Sequence, residues 1–200
     1  LILGGEFVTD GEIQLNARRN IIIQGRVETT ANGSNILLTA DTDADGNGGV
    51  FVTSTGVVDA DGGIILTGSD LDTPLAPASD VDSVRLASSA QILANGGIDL
   101  RSSNAAPPDA DLFVLGDIFT SSNVISFSPA DAVILGGDLQ SLGDIVFDGN
   151  VILLGDTILT APNVTFAATV EDDGDSNTPS NLQINIEGFV PSSDSGALSP

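Results

Sequence analysis

Apolar residues recur along this chain in short alternating runs, such as Ile13-Gln14-Leu15 and Ile98-Asp99-Leu100. One side chain points in, the next out and the third in again, the period-2 signature of a half-buried strand. No window of useful length carries a 3.6-residue period, so no helix is predicted. The runs fall into two types. The first aligns at Leu115-Gly116-Asp117-Ile118-Phe119-Thr120, Leu135-Gly136-Gly137-Asp138-Leu139-Gln140-Ser141 and Leu154-Gly155-Asp156-Thr157-Ile158-Leu159-Thr160. An earlier relative is Gln24-Gly25-Arg26-Val27-Glu28-Thr29. The second type usually opens on Gly or Asn and occupies residues 11–17, 35–40, 63–68, 97–102, 123–128, 143–148, 163–168 and 181–186.

Short strands at such spacing ordinarily suggest a sandwich or barrel of hairpins. Here the two types recur in order, in a unit of roughly 20 residues. A strand that pairs with its own equivalent one unit later builds a parallel coil, not a hairpin. The predicted fold is all-β, a right-handed parallel β-helix (β-solenoid) of about seven to eight coils. Residues 1–188 form one domain and 189–200 a Pro/Ser-rich tail or linker. At about 4.8 Å per coil the rod would be roughly 35–40 Å long. Insertions are expected at residues 41–49, 69–82, 103–111 and 171–180, each rich in Asp, Gly, Pro or Ser.

Composition agrees. The chain is 41% hydrophobic with 23 glycines, so it can bury a core. It has eight Phe but no Trp, Tyr, Met or Cys, and its five basic residues are all Arg. The formal net charge of −23 makes nucleic acid and anionic membranes poor partners. No apolar stretch approaches the ~18 residues of a membrane-spanning helix. A start at Leu1 without a signal peptide reads as a mature product or a piece of something longer. The strand phenylalanines Phe51, Phe113, Phe127, Phe147 and Phe166 are expected to stack in the core.

The runs GEIQLNA, NIIIQGRVETTANGSNILLTA, VFVTSTGVVDADGGIILTG and ILTAPNVTFAATV, within residues 11–188, resemble the filamentous haemagglutinin-like repeats of bacterial two-partner secretion adhesins. That resemblance implies a secreted, extracellular β-helix that attaches cells to surfaces or to other cells. It implies no catalytic residues. The extreme acidity departs from the family.

The sharpest chemical motif is Asp41-Thr42-Asp43-Ala44-Asp45-Gly46-Asn47-Gly48-Gly49, which reads like the first half of an EF-hand loop. Three carboxylates at alternate positions can converge on one Ca²⁺, with glycine allowing the sharp turn. The acid expected at loop position 12 is Val52, so Asp59 and Asp61 of the next coil are the candidates to complete the shell. The competing reading is a solvated acidic loop. Asp70, Asp72, Asp80 and Asp82 form another cluster, and Asp172, Asp173 and Asp175 a further one; both read as solvated. Arg85 and Arg101 could share an anion from neighbouring coils, or pair with nearby Asp.

Enzymatic β-helices act on acidic polysaccharides. Without His or Lys, a common general base and a common carboxylate binder are missing here, and only Asp pairs remain. The sequence therefore predicts a non-enzymatic rod at a bacterial surface, with a cell-surface or matrix target. Self-assembly into a filament, through neighbouring copies meeting at open β-helix ends, is the alternative. A polysaccharide-acting enzyme ranks third.

Overall fold

A coil of this kind must bring backbone close to backbone at its tight corners and fill its interior with apolar side chains. Both requirements are met. The computed structural model describes residues 1–70, 82–103, 106, 108, 110–173 and 180–186. Among them there is no helix; the strands form three sheets of eight, eight and seven, and every pairing is parallel. The fold is a parallel β-helix, three strands to the coil. The right-handed winding predicted above follows the crossover rule for parallel strands.

The first face runs from Ile2–Leu3 through Ile21–Ile23, Val50–Val52, Asp82–Leu86, Asp111–Val114, Ala132–Leu135 and Asn150–Leu153 to Val170–Asp172. The second runs from Phe7–Thr9 through Arg26–Thr29, Val57–Ala60 and Gln91–Ala94 to Leu182–Ile186. The third runs from Ile13–Asn16 through Ile36–Thr39, Ile64–Gly68 and Ile98–Ser102 to Val164–Phe166.

Like residues stack inside. On the third face Leu38, Leu66, Leu100, Phe127, Phe147 and Phe166 succeed one another in register. The Phe127 and Phe147 rings lie 4.8 Å apart at 5°, and Phe147 and Phe166 5.0 Å apart at 3°. The spacing of the rings is the spacing of the strands, so the backbone ladder imposes the stack. At the corner after the second face the buried column narrows to Thr29, Ala60, Ala94, Thr120 and Ser141. Its hydroxyls reach main-chain oxygens at the same corner: Thr29 donates to Ser34 O of its own coil at 2.9 Å and Ser141 to Asn123 O of the preceding coil at 2.5 Å.

Glycine marks the corner before the second face. A Cβ on Gly137 would collide with the carbonyl oxygen of Gly116 directly beneath it. Gly116 meets the carbonyl oxygen of Ala90 in the same way, whereas Gly155 in the third copy of the motif has room for a side chain.

Three expectations are corrected. Residues 181–186 do not join the other seven runs of their type: those seven form the third face, whereas Leu182–Ile186 pairs with Thr157–Ala161 on the second. Leu135 stacks on Val114 and Leu153, not on Leu115 and Leu154, so the alignment by leading leucine slips by one residue there. Phe51 and Phe113 do not join the inner stack. Both sit outward on the first face, Phe51 in a small separate cluster with Ile22 and Phe113 under the guanidinium of Arg85 at 4.0 Å. The tail at 189–200 lies outside the described residues. No helix among the described residues is long and apolar enough to cross a membrane.

Candidate functional site

The connections differ in length in a consistent way. In coils two, three and four, the segment from the third face to the next first-face strand is the long one: it follows Thr39, Gly68 and Ser102 and ends at Val50, Asp82 and Asp111. Three successive insertions therefore leave one corner of the rod. The fourth, read at residues 171–180, is shorter than expected at its start, because Glu171 and Asp172 belong to a strand. It leaves a different corner, between the first and second faces.

The base of the triple-insertion corner is a buried chain of hydroxyls. The Ser69 hydroxyl donates to Asp41 Oδ2 at 2.6 Å and also meets the Ser103 hydroxyl. The Ser83 hydroxyl donates to Ser69 O at 2.9 Å and pairs with the Ser102 hydroxyl at 2.8 Å. Asp41, Ser69 and Ser83 are all buried. Burial of these polar groups is tolerated because each finds a partner. Main-chain bonds continue the ladder: Ser69 N–H donates to Gly48 O at 2.8 Å and Ser103 N–H to Gly68 O at 2.6 Å. The sequence reading missed these serines. Their signal was a hydroxyl recurring just past the third-face strand, at Ser69 and Ser103.

Asp41 organises the loop above this base. Its carboxylate accepts the N–H of Asp45 at 3.0 Å on Oδ1 and that of Gly46 at 3.2 Å on Oδ2. Asp41 and Ala44 have φ of 54° and 56°, left-handed values that Asp tolerates better than Ala. The side chains of Asp41, Asp43 and Asp45 converge, each with an oxygen within 4.8 Å of the others. Asp45 accepts the N–H and the side-chain amide of Asn47 at 3.0 and 3.2 Å, and Arg19 approaches it at 3.7 Å. These hydrogen bonds, with help from Arg19, hold the Asp45 carboxyl below the ordinary carboxylate value.

Asp59 and Asp61 lie elsewhere. Asp59 faces outward on the second face in an ion pair with Arg26 at 2.5 Å, and Arg26 also holds Glu28. Partial withdrawal from water pushes the Asp59 carboxyl up; Arg26 pulls it the other way and does not win. The Arg26 guanidinium is raised, chiefly by its hydrogen bond to Glu28. Asp61 clips a different corner, accepting Asn95 Nδ2 at 2.8 Å and Gly33 N–H at 3.3 Å. The structure thus gathers Asp41, Asp43 and Asp45 and leaves Asp59 and Asp61 out of the group. Ca²⁺ takes six to eight oxygens, and here three carboxylates converge, with Asp41 and Asp45 already accepting hydrogen bonds.

Of the other acidic clusters, Asp72, Asp80 and Asp175 lie outside the described residues, and Asp82 is buried beside Arg85 at 2.5 Å. Arg85 and Arg101 belong to one coil but to different faces, and Arg101 pairs with Asp99 at 3.3 Å. They do not form a shared anion site.

No protein-family model, no curated protein and no solved structure matches this chain.

Proposed function

We propose that this chain is a structural and adhesive rod of the bacterial cell surface, a segment of a secreted adhesin that meets its cell-surface or matrix target with its projecting loops. The observation that carries this reading is that three consecutive coils each make their long connection from the same corner. Loops on a rigid scaffold are where recognition residues concentrate, and here the scaffold sets their points of departure one above another. The resemblance of the runs to filamentous haemagglutinin-like repeats supports the same reading. The loops are acidic at Asp43, Asp45 and Asp70, which suits a basic surface or one bridged by divalent cations.

The test is attachment. Microspheres coated with the chain are offered to cells and to matrix proteins, with soluble chain as competitor. Retention that soluble chain abolishes, and that shortening residues 41–49 reduces, supports the reading. Retention no greater than with an equally acidic unrelated protein overturns it.

A second reading, a subunit that stacks head to tail into filaments, is favoured by the two ends. The inward column of the second face is buried from Val27 to Leu159 but opens at Phe7, 45% exposed, and Ile184, 42% exposed. Electron microscopy of concentrated protein in added salt or Ca²⁺ distinguishes filaments from single rods.

A further inference from the structure

The outward side of the second face changes character along the rod. Two columns of side chains run along it in register. One reads Arg26, Val57, Gln91, Asp117 and Asp138, the other Glu28, Asp59, Leu93, Phe119 and Gln140. In coils two and three the carboxylates are met from within, because Arg26 holds Glu28 and Asp59, each at 2.5 Å. In coils five and six Asp117 and Asp138 stand one above the other, both exposed, where like charges repel. No cation of the chain reaches them: there is no basic residue after Arg101, and Arg85 and Arg101 belong to the other two faces. Main-chain bonds fix both carboxylates. Asp117 Oδ1 accepts the Asp138 N–H at 3.2 Å, and Asp138 Oδ1 accepts the Ile158 N–H at 2.9 Å. Among the described residues no donor meets either second oxygen. Beside them Phe119, 36% exposed, and Ile158, 38% exposed, face outward. Together with Leu93 and Gln140 these side chains line a groove of about 350 Å³.

We propose that this groove takes the guanidinium of an arginine side chain presented by a partner protein. The chain builds such a unit once from its own residues: Arg85 lies 4.0 Å over the Phe113 ring and 2.5 Å from Asp82. Phe119 with Asp117 and Asp138 repeats the ring and the carboxylates and lacks only the cation. A guanidinium is planar and weakly hydrated, so it stacks on an aromatic face while its N–H fork reaches carboxylate oxygens. The lysine ammonium is a point charge with a tightly held water shell and suits the apolar walls less well. A hard metal ion fits worse still, since Ca²⁺ needs six to eight oxygens and apolar side chains occupy much of this wall. The groove lies on the second face, away from the corner that carries the three insertions, so arginine binding is independent of attachment through those loops. The carboxylates are exposed, and binding weakens as salt screens them.

The probe is α-acetyl-arginine amide, titrated at constant ionic strength into the isotope-labelled chain while its amide resonances are followed. Those of Asp138 and Ile158, whose N–H groups bind the two carboxylates, should shift and saturate. The dissociation constant should be roughly 10 mM, the scale of one cation–π contact with exposed ion pairs. The citrulline analogue, of the same shape but uncharged, should leave both resonances in place. The lysine analogue should bind at least about threefold more weakly than arginine. Joint Asp117→Asn and Asp138→Asn substitution keeps an oxygen for each main-chain N–H and should weaken arginine binding by at least about fivefold. Phe119→Leu, which keeps the apolar wall without the ring, should weaken it about two- to fivefold. A response that never saturates, one matched by the citrulline or lysine analogue, or shifts centred on the acidic loop at 41–49 and unchanged by the asparagine pair would each sink the assignment.

Discussion

The Ser69 hydroxyl donates to the buried Asp41 carboxylate at 2.6 Å, joining the second coil to the third across the corner where the long loops leave. The same carboxylate accepts two main-chain N–H groups of its own loop, so one side chain fixes both the scaffold and the insertion. Asp41→Ala should cost about 2–3 kcal/mol, the scale for removing a charged acceptor from buried donors. Ser69→Ala should cost only about 1 kcal/mol. Urea denaturation of both variants checks the order; equal, negligible losses would show that the loop is held otherwise.

Phe147 is sandwiched between Phe127 and Phe166 and is fully buried. Phe147→Ala should destabilise the rod by about 3–5 kcal/mol. Phe119→Ala, on the outward side of the second face, should change stability by less than about 1 kcal/mol. Thermal and urea midpoints measure the contrast.

Gly137→Ala should be among the most damaging single-methyl additions, above about 2 kcal/mol, because backbone on the coil beneath blocks the new Cβ. Gly11 has open space around the same position, and Gly11→Ala should stay within about 0.5 kcal/mol of the parent.

The acid side of the stability curve tests the ion pairs. Asp59 is raised above its unfolded value of 3.8, so the folded state holds its proton more tightly. That group's contribution falls as pH rises from the unfolded value through the folded one. Asp45 is lowered, so its contribution is present above 3.8 and disappears as pH falls through its folded value. Asp59→Asn should therefore gain stability relative to the parent between acid and neutral pH, and Asp45→Asn should lose it. Denaturation series at pH 3 and pH 7 give the two signs.

Calcium should bind the 41–49 loop weakly, with a dissociation constant of roughly 1 mM or above, because few free oxygens converge there. Calorimetric titration, with Asp43→Asn as the reference, measures it. Submicromolar binding lost in Asp43→Asn would show that further ligands close on the ion.

The β-helix was legible because many runs on two of its three faces alternate: Ile98-Asp99-Leu100 and Val27-Glu28-Thr29 do so and fall in register with their equivalents one coil away. The first face was not recognised as a separate strand set. Its members read Ile21-Ile22-Ile23, Val50-Phe51-Val52 and Val133-Ile134-Leu135, with no polar residue to mark the outward side. An absence of alternation hides a strand from a period-2 search. The Asp41 loop was found from its spacing, because a local motif needs no partner. Its serine anchors were not, since Ser69 and Ser103 meet Asp41 only through coiling that brings distant residues together. Asp59 and Asp61 were assigned by sequence proximity to the loop, whereas the coil carries them around to the second face and its far corner.

All the ladder bonds run along the rod, from each coil to the next, so a pull applied at its two ends loads them in series. Such a tether peels open turn by turn. Each released coil of about 20 residues would supply roughly 65–70 Å of slack, and the remaining coils would keep their hold.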